Sequence, residues 1–169
     1  MNTFPSRLWR DRRGGIGGLF GLLATVAFLA FVVDVGSAYV TRVAAQQHVD
    51  KAAKAAANLA LDMDALARGE VRLDPAVAAA AFYYYLQKNL YLDPANRPLP
   101  GSYVREVRVK RVDVLQDDTA SILVEGLLDE NIRGPLVYAD LHIRAKNYVL
   151  GFTDVDVPIK SVAAVRVTP

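Results

Sequence analysis

Side chains able to do chemistry are few in this chain. Its two histidines, His48 and His142, fall on a helical flank and on the polar face of a strand. Neither has a second ligand at metal-binding spacing. Asp117-Asp118 and Asp129-Glu130 read as turn carboxylates, because a calcium loop alternates its oxygen ligands around a central glycine. The chain has no cysteine, which removes disulfides, thiolate metal sites and cysteine nucleophiles together. It has no G-x-S-x-G elbow, Walker loop or dinucleotide fingerprint. The glycine-rich stretch that opens at Gly14 follows no strand and so cannot cradle a phosphate. One cluster remains: Phe82, Tyr83, Tyr84 and Tyr85 offer either a ligand platform or packing bulk. The sequence therefore predicts a protein that is not an enzyme and takes no metal and no cofactor.

The elements that must position these residues begin with a membrane segment. Apolar residues make up 53% of the 169, high for a soluble domain but natural if one block lies in lipid. Arg7, Arg10, Arg12 and Arg13 crowd the start, offset only by Asp11. They directly precede residues 14–33, "GGIGGLFGLLATVAFLAFVV", which carry no charge. A helix of about 20 residues spans roughly 30 Å, the thickness of the hydrocarbon layer. That is longer than the apolar core of a cleaved signal peptide. The arginines set topology, so residues 1–13 are predicted to be cytoplasmic and everything beyond Asp34 extracytoplasmic. The net charge of +2 gives no field that would gather nucleic acid, and no basic–aromatic surface pattern accompanies it. Gly17 and Gly21 form a G-x-x-x-G pair that would let another helix approach closely.

Past Asp34, expected as a boundary charge, the chain keeps its helical character. Alanines dominate residues 38–60, and Gly36 is the one glycine before Gly69. The sequence predicts a single helix over about residues 16–66, with residues 34–68 as its extracytoplasmic continuation. Residues 69–101 hold a second helix and a proline-rich loop. Asp74 is the predicted N-cap, Pro75 the first helical residue, and Phe82, Leu86 and Leu90 the buried face. Residues 102–169 alternate in hydrophobicity as an antiparallel sheet head. Val107 and Val109 are out of phase with Val112 and Val114, which predicts a bulge between them. A hairpin strand is expected at residues 119–128, and Pro158 predicts an edge position for the last strand. The fold class is α+β: a long amino-terminal transmembrane helix continuing outside the membrane, a second helix, and a small antiparallel sheet packed on both.

The segment "RDRRGGIGGLFGLLATVAFLAFVVDVGSAYVTRVAAQQHVDKAAKAAANLA" resembles the amino-terminal region of TadE/TadG-like proteins, minor pilins or pseudopilins of the tight-adherence (Flp) type IV pilus system. The positions that carry the resemblance are Arg13-Gly14, Asp34-Val35-Gly36, Tyr39, Gln46 or Gln47, and Asp50 with the alanines that follow. It covers about a third of the chain. Cleaved prepilins of this kind carry a glutamate five residues after the cleaved glycine, where this chain has Leu19 or Phe20. That departure favours the uncleaved, TadG-like end of the family. The resemblance implies a pilin-like fold and a membrane-anchored structural subunit with no catalytic role. Its partners would be other pilin-like subunits, pilus assembly platform proteins and the lipid membrane, and not nucleic acid. Gly17 and Gly21 are assigned to helix packing, and Asp34, Gly36 and Tyr39 to the family-like motif. The competing expectation is a stand-alone envelope protein with one membrane span, whose outer domain binds a ligand or polysaccharide through the aromatic cluster.

Overall fold

The computed structural model describes residues 8–116, 134–146 and 156–165. Helix α1 (Leu8–Leu59) is one unbroken rod of 52 residues, close to 80 Å long at 1.5 Å per residue. It starts earlier and ends earlier than its composition predicts. Alanine would let it run on, but Asp62 captures the chain. Its carboxylate accepts the backbone N–H groups of Asp64 and Ala65 and caps a separate five-residue helix, α2 (Met63–Ala67). Such a cap is worth about 1 kcal/mol, more than the propensity difference it overrides. Leu61 and Leu73 then pair as an isolated bridge, and Asp74 donates its N–H to Ala60 O at 2.7 Å. Gly69, at φ +81°, ends α2 rather than the long helix.

Helix α3 (Pro75–Leu90) forms as its sequence signals require. The Asp74 carboxylate accepts from Ala76 and Val77, and Pro75 occupies the first turn. Because α3 starts beside Ala60, it runs back along α1. At its far end Ser102 Oγ donates to Leu90 O at 2.7 Å, and the neighbouring Tyr103 ring lies 6.0 Å from that of His48. Ala78, Phe82, Leu86 and Leu90 are fully buried. Four successive residues on a helix point about 100° apart. The aromatic run is therefore split, with Phe82 inside, Tyr83 and Tyr85 packed at the flanks, and Tyr84 exposed.

Three antiparallel strands complete the described residues: β1 (Val104–Leu115), β2 (Leu136–Ala145) and β3 (Asp156–Ala164), in that spatial order. The predicted bulge is present. Val109 pairs with Leu141 and Arg111 with Asp140, leaving Lys110 as the extra residue. A second irregularity falls between Val104 and Glu106, where sequence spacing offers no signal. The bulge returns Val112 and Val114 to the face used by Val107 and Val109. Val137, Ala139, Leu141, Ile143, Val157 and Ile159 share that face. β3 is an edge strand among the described residues, as Pro158 requires. The expected hairpin strand at 119–128, with Asp117, Asp118, Asp129 and Glu130, lies outside the described residues. Helices α1 and α3 lie side by side on the apolar face, α1 over β2 and β3 and α3 against β1. The fold is thus α+β, with one helix among the described residues that is long and apolar enough to cross a membrane.

The buried stripe of α1 is built mostly from alanine: Ala45, Ala52, Ala53, Ala56 and Ala57, with Val49 among them and Ala60 just past the helix end. Its bulky counterpart is α3. Phe82→Ala should therefore cost about 3–5 kcal/mol, while Tyr84→Ala on the exposed face should stay within about 0.5 kcal/mol. Thermal unfolding of the full chain in detergent measures both, and equal losses would place the aromatic run differently from what is described here.

Candidate functional site

Polar groups are scarce where α1 meets the sheet, and they are joined to one another. Gln46 and Asp50, four residues apart, stand on the same side of α1. Gln46 Nε2 donates to Asp50 Oδ1 and to the backbone carbonyl of Lys160, each at 2.9 Å. Ser161 Oγ donates to the same Asp50 oxygen at 2.7 Å. Ser161 is only 2% exposed and takes a place on the inner face of β3, between Ile159 and Ala163, that the alternation reserves for an apolar side chain. Its hydroxyl would be costly there without a partner. The arrangement is a clamp: a carboxylate on the helix holds a buried hydroxyl on the edge strand while the adjacent amide reaches the strand's backbone. The family resemblance marks Asp50, and marks Gln46 as one of two alternatives with Gln47. It does not mark Ser161, although that is the one polar residue on that face of β3.

Two residues past Gln46, and so turned well away from it around the helix, His48 packs against Tyr103. Neither His48 Nδ1 nor the Tyr103 hydroxyl has a hydrogen-bond partner among the described residues, and both atoms are sealed from solvent. Burial, helped by the nearby Lys51 charge, lowers the His48 pKa below its ordinary 6.5. Burial pushes the Tyr103 hydroxyl up to about 12. Both groups are therefore held neutral at pH 7, which suits a packing role.

The motif predicted at the outer end of the span is divided by the helix. Asp34 is 4% exposed and belongs to the buried stripe, one turn from Ala30 and one from Ala38. The sequence expects a boundary charge here, and the structure shows that its side chain is buried. The helical period places it on the buried face of α1, in line with Ala30 and Ala38. Gly36 and Tyr39 point away, and Tyr39 is 68% exposed. Gly17 and Gly21 are likewise exposed, and a Cβ at either position would meet nothing within 4 Å. Nothing within the described chain requires glycine there, and that face of the helix is open.

On the outer sheet face, His142 Nδ1 lies 3.0 Å from Asp156, and Glu106 pairs with Arg108 and Arg144. The bond from His142, helped by Arg144 and Arg108, holds the Asp156 carboxyl below its usual range. No group of three or more His, Asp or Glu among the described residues is placed to hold a metal ion. A hollow of about 640 Å³ lies at the far end of the head, lined by Asp62, Glu70, Arg72, Asp74 and Gln116. Its Asp62 and Asp74 are committed to helix capping, and Gln116 is bonded to the Leu73 backbone through both ends of its amide. Of these sites, the clamp of Gln46, Asp50 and Ser161 is the one that joins the sheet to α1.

Two outcomes test this. Asp50→Ala strands a buried hydroxyl and should cost about 1–3 kcal/mol, with Ser161→Ala non-additive to it by at least about 0.5 kcal/mol in a double-mutant unfolding cycle. His48, whose folded pKa burial depresses, binds protons more readily when unfolded, so stability falls as pH drops below 6.5 and levels off below the folded value. Unfolding scans from pH 8 to about pH 5 should show that loss, and His48→Phe should flatten it. Comparison with family models, with curated proteins and with solved structures finds no match, so the functional reading rests on geometry and on the sequence resemblance.

Proposed function

We propose that this chain is a membrane-anchored structural subunit, a minor pilin or pseudopilin of a tight-adherence type IV pilus or a related secretion machine. It works by packing its helix against other pilin-like subunits. One observation carries the reading: the helix that is apolar enough to cross a membrane continues without a break into the core of the head. Anchor and head are then a single rigid body, and a contact made by the span fixes the head's position. A ligand-binding envelope protein has no use for that coupling and is served equally well by a flexible linker. The open faces of Gly17 and Gly21 leave the inner half of the rod available to neighbours. The basic amino terminus supports the orientation that this reading needs, with residues 1–13 in the cytoplasm and the head outside.

The test is to shear native cells and probe the released surface fraction and the membrane pellet for this protein. Recovery with sheared filaments supports a pilin. Retention in the membrane together with pilus assembly proteins supports a platform subunit. Gly17→Leu and Gly21→Leu should insert normally yet lose at least about tenfold in recovery with those partners, if helix packing is worth the 1.4 kcal/mol that corresponds to tenfold. A protein recovered alone from the membrane, with both variants indistinguishable from wild type, overturns the proposal.

A further inference from the structure

The outer boundary of the membrane segment is not where the uncharged run stops. Between the backbone positions of Arg13 and Arg42, Asp34 is the one charged residue of α1, and it is buried beneath the protein rather than exposed. The exposed surface of the helix stays apolar well past Val33, through Val35, Tyr39, Val40 and Val43. Hydroxyls along the way make no demand on solvent. Thr25 Oγ1 donates to Gly21 O at 2.9 Å and Ser37 Oγ to Asp34 O at 2.8 Å, while Thr41 is buried. The first exposed charge is Arg42, and beyond Val43 the exposed positions turn polar with Gln47, Lys51 and Lys54. Arg13 to Arg42 is roughly 44 Å of helix at 1.5 Å per residue. A bilayer with its headgroup layers measures about 40–45 Å. Ending the lipid contact at Val33 would instead leave about 15 Å of apolar helix surface in water.

The opposite face of this same stretch is covered, with Ala30, Asp34, Ala38 and Thr41 all buried. Over residues 30–41, then, the helix has protein on one side and an apolar exposed surface on the other. The head's near end is cationic as well. β1 begins, and β2 ends, at the end of the head closer to the span, since Tyr103 meets His48 and Lys146 donates to Ser102 O. Among the described residues that end carries Arg105, Arg108, Arg144 and Lys146 against the carboxylates of Glu106 and Asp156. Net positive charge and an exposed tyrosine are what an interface with phospholipid headgroups selects.

We propose that the head is seated in the outer leaflet rather than standing above it. The exposed face of α1 remains against phospholipid as far as Val40, with Tyr39 and Arg42 at the headgroups. Asp34 lies at membrane depth but is shielded from lipid by the protein. The occupant of this surface is the bilayer itself. The proposal rests on α1 crossing a membrane, and not on any role in a pilus.

The absence of cysteine makes the test direct. Full-length single-cysteine variants Leu23→Cys, Val35→Cys, Tyr39→Cys, Gln47→Cys and Lys54→Cys are placed in phosphatidylcholine–phosphatidylglycerol vesicles. They are then labelled with a membrane-impermeant maleimide at about one protein per vesicle. The expected result is that Val35→Cys and Tyr39→Cys label at least tenfold more slowly than Lys54→Cys, with accessibility recovering at Gln47→Cys. If Val35→Cys and Tyr39→Cys label as fast as Lys54→Cys while Leu23→Cys stays protected, the boundary lies near Val33 and the proposal is overturned. Protection that appears only when many copies share a vesicle identifies a second copy as the occupant and also overturns it. Rapid labelling of Leu23→Cys would show instead that α1 does not cross, which is failure of the underlying reading.

Discussion

Everything in this molecule depends on one helix that has to satisfy two solvents. Its early turns present leucine, phenylalanine and valine outward on all sides, which water would penalise and lipid does not. Its later turns form a wall of the protein core, and there the side chains become small. Ala52, Ala53, Ala56 and Ala57 bring the α1 backbone close to α3 and the sheet at once. The bulk that fills the space is supplied from the other side by Phe82, Leu86 and Leu90 of α3 and by the valines, Leu141, Ile143 and Ile159 of the sheet. A larger residue on α1 would force off-rotamer packing, at about 1–3 kcal/mol per site. The price of the alanine wall is that α1 contributes little hydrophobic area of its own, so the head's stability rests on the elements that fold back over it.

A smooth alanine surface leaves a second problem. Alanines repeat along the stripe at near-helical spacing, so a sheet sliding by one turn, about 5.4 Å, would meet nearly the same surface. Apolar contact is non-directional and does not resist such a slip strongly. The clamp of Gln46, Asp50, Ser161 and the Lys160 carbonyl does. Hydrogen bonds lose most of their strength once the donor–acceptor geometry is disturbed, and moving Ser161 off Asp50 would strand a buried hydroxyl. Buried polar groups that fix register at modest cost in stability are known from helical coils. Here the same device sets how far along the helix the head sits, and which way round it faces.

How much of this could be read from residues alone follows from the range of each interaction. Asp74-Pro75 announces α3 because capping is decided within four residues. The spacing of Phe82, Leu86 and Leu90 gives its buried face, and the phase slip between Val109 and Val112 gives the bulge at Lys110, since both are local periodicities. The end of α1 was missed because alanine propensity argues for continuation, while the decision belongs to Asp62 and to a bridge between Leu61 and Leu73. Ser161 was passed over because its partner Asp50 is 111 residues away, and an alternating strand does not say which polar intruder has found an acceptor. The burial of Asp34 is illegible in the sequence for a related reason. A carboxylate after an apolar run reads as the end of lipid contact, and only the tertiary structure shows that its face of the helix is covered.

The position of Asp34 and the placement of the clamp have a joint consequence for the proposed structural role. A helix joined to its head by a flexible hinge can rotate in the membrane without turning the head. α1 has no hinge between its apolar turns and the clamp. The glycine nearest the junction, Gly36, sits inside regular helix, and no proline interrupts it. The covered stripe runs unbroken from Ala30 through Asp34, Ala38, Thr41, Ala45 and Val49 to Ala60. Rotation of the span is therefore rotation of the head. A neighbour that packs on Gly17 and Gly21 would choose not only where the subunit stands but which sheet face it presents. Specificity of assembly could then be decided in the membrane, by small residues, and be read out tens of ångströms away by the head that Asp50 holds in place.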